Sequence, residues 1–259
     1  MKKIITTTIA AGLIAGVAMA EVGVTMDFAS AYVFRGVTLS DKASFQPGIE
    51  ASGFGLAEEY GAVSVGAWGA CDLGDSYTGA SSSTFQETDW YATYSLPSFV
   101  DGLDLYVGYC EYTYGAGSSD KEANVGVGYA IGDASLGMTY YQGVGGVIGS
   151  SAYGEFSAGY DIAATEELGV SLGARVGYAD PSGGKSGFAD YDLSVGVGYA
   201  LGEVWSVGAS IAYIGQIDDK VLGDAYYETK DEDGDGEEDG WQLGYDVDVV
   251  AMLSIGASF

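Results

Sequence analysis

The chain has 259 residues, of which 43 are glycine, 21 tyrosine and only 3 proline. Acidic residues number 37 against 9 basic ones, the formal net charge is −28, and there is no histidine. That balance argues against nucleic-acid binding, which needs cationic surface, and the missing histidine excludes Ser-His-Asp and Cys-His triads and histidine-ligated metal.

In chain order the first element is an export signal. Met1-Lys2-Lys3 is a basic start, Ile4 to Val17 are mostly apolar or small, and Ala18-Met19-Ala20 matches the small-x-small cleavage rule. The expectation is a cleavable signal peptide over 1–20 and a mature chain over 21–259. The apolar run is too short for a membrane anchor, and no later stretch approaches the ~20 apolar residues of a membrane helix. A membrane-embedded mature chain must therefore be a closed barrel.

Period-2 alternation then runs along the mature chain. In 190–201, Tyr191, Leu193, Val195, Val197, Tyr199 and Leu201 hold one phase, while Asp190, Asp192, Ser194, Gly196 and Gly198 hold the other. Residues 167–178 and 244–259 repeat the pattern. The expected strands are 22–35, 44–54, 60–73, 85–96, 102–113, 121–131, 134–143, 151–162, 166–178, 187–200, 203–215 and 244–259. Twelve is an even number, as single-chain outer-membrane barrels require, with 10–14 as the range. The second strand carries Pro47, which cannot donate to a ladder, and the seventh is short. Connections after even strands are tight and those after odd strands mostly longer, the longest at about 216–243. Short periplasmic turns and longer outer loops are the expected asymmetry.

Oriented up and down in turn, the apolar phase puts Tyr94, Tyr129, Tyr160, Tyr199, Trp205 and Phe259 at the periplasmic ends. It puts Tyr32, Phe34, Tyr109, Tyr140, Tyr178, Tyr191, Tyr213 and Tyr245 at the outer ends. Two aromatic girdles fit a membrane barrel; a soluble barrel has no reason to sort tyrosine to both rims.

The segment Ala31-Tyr32-Val33-Phe34-Arg35-Gly36-Val37-Thr38-Leu39-Ser40-Asp41 resembles the signature of the TorF-like porin family of bacterial outer-membrane proteins. The resemblance implies a porin-like channel in the outer membrane. The Ser258-Phe259 terminus resembles the signal by which barrel assembly machinery recognises its clients, making Phe259 a candidate assembly residue. The partners implied are outer-membrane lipid and that machinery; a homo-oligomer is compatible with such a barrel, though no pattern marks a subunit interface.

The polar phase becomes the lumen. Glu87, Asp89, Asp190, Asp192, Asp246 and Asp248 fall near the outer mouth, where an acidic ring would favour cations. Arg35 and Arg175 share that phase near the outer ends of odd strands. Each could face the carboxylates across a constriction, but pairing with a neighbouring carboxylate is the simpler reading. Asp231, Asp233, Asp235 and Asp239 fit the start of a D-x-D-x-D-G calcium loop. Position twelve is Gln242, so the bidentate glutamate is missing, and a solvated acidic tip is the alternative. Cys71 and Cys110 lie one strand apart in opposite phases, too far for a disulfide. The expected function is passive diffusion of ions and small hydrophilic solutes, mildly cation-selective, without catalysis or an organic cofactor. The rival is a closed structural or adhesive barrel whose acidic outer loop binds calcium or a partner.

Overall fold

The computed structural model describes residues 21–54, 60–74, 84–115, 117–222 and 247–259. The expected signal peptide (1–20), the acidic segment with Asp231, Asp233, Asp235 and Asp239, and Tyr245 and Asp246 all lie outside the described residues.

The strands are β1 (Glu21–Ala29), β2 (Tyr32–Phe34), β3 (Val37–Ser40), β4 (Ser44–Ser52), β5 (Ala62–Asp72), β6 (Phe85–Ser95) and β7 (Leu103–Tyr114). They continue with β8 (Ser119–Ile131), β9 (Ala134–Gly145), β10 (Ala152–Ala163), β11 (Leu168–Asp180), β12 (Gly187–Leu201), β13 (Trp205–Gln216) and β14 (Val249–Ser258). A single helical turn, α1 (Asp219–Leu222), follows β13. Twelve of the strands close into one antiparallel barrel: β1 pairs with β14 on one side and β4 on the other, and sequential neighbours pair from β4 to β14. Closure leaves no unpaired edge, the condition for backbone in hydrocarbon. The strand rules place both termini at the end with the short turns, and Val22 and Phe259 exchange backbone hydrogen bonds there.

Alternation decides the faces. The apolar phase points outward: Leu193 is 55% and Leu253 63% exposed, with Val195, Val197, Leu172, Phe156 and Ile211 similarly placed. The polar phase points into the lumen. A soluble barrel would show the reverse. Tyr109, Tyr129, Tyr160, Tyr178, Tyr199, Trp205 and Tyr213 stand on the exterior, and Tyr94 hydrogen-bonds the Tyr60 carbonyl at 2.8 Å.

Four expectations need correction. The first barrel strand ends at Ala29, because the chain bends at Ser30-Ala31 and leaves the wall. Residues 32–40 form a separate hairpin of β2 and β3; the alternation that continues through Tyr32 and Phe34 belongs to this hairpin. The seventh barrel strand, β9, is not short but spans twelve residues. The last strand begins at Val249, leaving Asp248 exposed above it. Pro47 does sit in a wall strand, and the β4–β5 ladder skips Gln46 and Pro47 without changing register. A missing N–H interrupts the pairing but does not shift it.

Candidate functional site

The β2–β3 hairpin folds into the outer part of the lumen. Its turn is Arg35-Gly36, both left-handed at φ +50° and +77°. Two-residue hairpin turns favour such geometry, usually with Asn-Gly or Asp-Gly. Arginine in this region costs about 1–2 kcal/mol, which surrounding contacts must offset.

Those contacts are dense. The Arg35 guanidinium donates to both oxygens of Glu122 on β8, at 2.8 Å each. Its Cζ also lies 4.8 Å from the Phe34 ring centre and 4.4 Å from those of Tyr141 and Tyr153. A bidentate, ring-flanked ion pair with Glu122 only 3% exposed is geometrically specific. Gly36 is required for space as well as backbone: a Cβ there would meet the Asp190 Cβ at 2.5 Å. The Gln216 amide donates to the Gly36 carbonyl at 2.9 Å.

The rest of the hairpin reaches other parts of the wall. The Tyr32 hydroxyl donates to Glu87 at 2.9 Å, and its ring lies 5.4 Å from that of Trp68. Phe34 meets Tyr112 edge-on at 6.0 Å. Ala31 joins Ala29, Val250 and Met252 in a buried cluster, with Val33, Ile214 and Val247 against it. Val250 and Met252 are apolar residues in the lumen phase of β14, and the hairpin supplies the apolar surface that covers them.

Arg175 is a second centre on the wall itself. It donates to Asp192 and to Asp190 (2.6 Å to the latter), donates to the Tyr153 hydroxyl, and lies 3.7 Å from Glu155. Tyr153 in turn donates to Asp190 at 2.8 Å. Asp190 is fully buried. Arg175 is therefore enclosed by wall carboxylates, and Tyr153 links it to Arg35.

The structure thus brings Arg35, Glu87, Arg175, Asp190 and Asp192 to one level of the lumen. Asp89 lies one rung below Glu87 on β6, 8% exposed. Asp248 does not join them. Arg35 belongs to the hairpin turn, not to a strand as expected. Tyr32 and Phe34 likewise face the lumen and are not rim residues. Sequence reasoning missed Glu122, Tyr112, Tyr141 and Tyr153, although each lies in a polar phase where an aromatic or an extra carboxylate is itself a signal. Cys71 and Cys110 are free thiols. Among the described residues, no three potential metal ligands cluster.

Below this level the lumen changes character. Serines lie over glycines of neighbouring strands: Ser194 over Gly173, Ser171 over Gly196 and Ser206 over Gly256.

The family described as "Bacterial protein of unknown function (Gcw_chp)" has a model that matches residues 15–237. The chain belongs to the Gcw_chp family. No curated protein matches it. Among solved structures, this Gcw_chp chain is similar to an outer membrane channel from Pseudomonas putida F1, at 9% identity and TM-score 0.54, over 95% of this chain and 97% of that one. It is also similar to the KdgM porin (8%, 0.50, 92% and 99%) and the NanC porin (10%, 0.50, 92% and 98%). At such identities the likeness is one of fold, that of an outer-membrane β-barrel. Closed pairing and an apolar exterior are the physical requirements of that membrane, and the bacterial outer membrane is where this chain resides.

Proposed function

We propose that the chain is an outer-membrane porin for passive diffusion of ions and small hydrophilic solutes, with a mild preference for cations. The observation that carries this reading is the lumen: rich in carboxylates at its outer end, apart from the apolar cluster under the hairpin, and lined largely by glycine and serine further down. Arg35 is balanced by Glu122, whereas Arg175 faces three carboxyl groups, Glu155, Asp190 and Asp192, so acidic groups are in excess around it. Glu87, Asp89, Asp72 and Asp120 are further acidic residues at that end. Carboxylates in a low-dielectric wall concentrate cations and repel anions. Asp89 Oδ1 is buried without a protein hydrogen-bond partner.

The exterior tyrosines and Trp205 act in this reading as interface girdles. Residues 1–20 serve as the export signal. Phe259, exposed and edge-on to Trp205 at 6.5 Å, presents the assembly signal. The TorF-like resemblance of residues 31–41 accords with a porin. With no histidine in the chain, the histidine-based triads of hydrolases have no counterpart here.

The seated hairpin favours a second reading, a closed barrel that works through its outer surface and its acidic loop. Planar-bilayer recording of refolded protein across a KCl gradient separates the two. Stable steps with a cation-sided reversal potential support the selective porin. Steps without selectivity remove the charge argument. Silence from folded protein favours the closed barrel.

A further inference from the structure

We infer that the β2–β3 hairpin, and not the twelve-strand wall, sets the size and charge of what passes. The inference rests on the porin reading above. Twelve strands lie between the eight that side chains fill and the sixteen to eighteen that leave a wide channel. What occupies the middle of such a barrel therefore decides its aperture.

The hairpin occupies it. Tyr32 is held on β5 and β6, Phe34 on β7, Arg35 on β8, β9 and β10, Gly36 on β12 and β13, and the Ala31–Val33 side on β14. These anchors surround the barrel axis instead of lying along one wall. Along the strands they lie between the outer end itself (Gln216, the last residue of β13) and three or four residues inside it (Glu122 on β8, Trp68 on β5), at most about 14 Å at ~3.4 Å per residue. Solute must thread the gaps between hairpin and wall, or wait for the hairpin to lift.

The lock is the Arg35–Glu122 pair. It is bidentate and lies at the turn, furthest from the points where the hairpin joins β1 and β4. The pair is also electrically neutral, so it hides one positive and one negative charge inside the constriction. Breaking it from either side loosens the same anchor but exposes opposite charges. Removing Arg35 leaves Glu122 as an added anion. Neutralising Glu122 leaves Arg35 as an added cation. A role in wall stability alone would not separate the two.

The test uses full-length barrels refolded in lipid. One variant replaces residues 31–41 with a short Gly-Ser linker; the others are Arg35→Ala and Glu122→Gln. Single-channel conductance, exclusion of graded polyethylene glycols and reversal potential are read for each. Replacement of the hairpin is expected to raise conductance several-fold and admit larger polymers. Both point variants are expected to raise conductance less, with reversal potential moving toward cations in Arg35→Ala and away from them in Glu122→Gln. Conducting channels whose polymer cutoff is unchanged without the hairpin would overturn the inference alone. So would point variants whose reversal potentials move the same way, and these decide the matter if the replaced chain does not fold. Silence from every folded barrel, the hairpin-free one included, would instead bring down the porin reading beneath it.

Discussion

The outer and periplasmic halves of the lumen share the same twelve strands and the same alternation, yet they are built differently. The outer half is crowded with Trp68, Glu87, Tyr112, Glu122, Tyr153 and Arg175, and the hairpin is seated among them. The periplasmic half is mostly glycine and serine, with Gly198 and Gly23 facing open space. Alternation therefore specifies which face a residue takes, while residue size along one phase specifies where the tube is filled. The filled half has charges that depend on one another, while the open half carries separate carboxylates such as Glu50 and Asp104.

Several substitutions would break or sharpen this contrast. The largest effect is expected in the crowded half. Arg175→Met removes the cation from around fully buried Asp190 and should cost about 3–5 kcal/mol, read as a lowered urea midpoint in lipid vesicles. The exterior belt is common to both halves, so Leu172→Lys is the reference: about 2–4 kcal/mol if it lies at midplane, in the same assay. Normal folding of this variant would undo the face assignment.

Within the open half, the outcome should depend on whether a ring already covers the glycine. A Cβ at Gly126 would meet the Tyr106 ring at 2.1 Å. Gly126→Ala must therefore displace a ring whose hydroxyl bonds Thr139 at 2.6 Å, for about 1–3 kcal/mol of overpacking. Gly198→Trp has space, so stability should change by no more than about 0.5 kcal/mol while conductance drops. A large stability loss there would mean that the open half is not open.

The smallest effect lies outside the barrel wall. Lys185 donates to Asp218 at 2.5 Å, and this bond holds the Asp218 carboxyl below its ordinary value of 3.8. A carboxyl held low favours the folded arrangement above that value, and its contribution is lost as pH falls through the depressed one. Asp218 is only half-buried and lies outside the wall, so global stability should barely respond. A carboxyl titration by NMR should place Asp218 low, and Lys185→Ala should return it to the usual range.

Much of the fold was legible because a barrel in lipid must obey a strict period. Leu193, Val195 and Val197 cannot turn inward without placing Asp192 and Ser194 in hydrocarbon. The same logic located most strand ends to within two residues. It failed at Tyr32 and Phe34, whose alternation carries on from Phe28 although the chain has already left the wall. Period 2 reports a strand but not the surface on which it lies. The adjacent Tyr140 and Tyr141 show the limit at the site: one faces outward and the other meets Arg35. Val250 and Met252 were the visible clue, two apolar side chains in a phase that should face water.

The sequence by itself determined an acidic, closed, even-stranded barrel with apolar residues outside, because local alternation and the demand for paired backbone leave few other solutions. Only the tertiary structure decided that residues 30–43 turn inward, that Arg35 meets Glu122 across 87 positions of chain, and that Arg175 is enclosed by Glu155, Asp190 and Asp192. Those choices depend on which side chains from distant strands arrive at one height in the lumen. Strand stagger and closure set that height, and no local period records it.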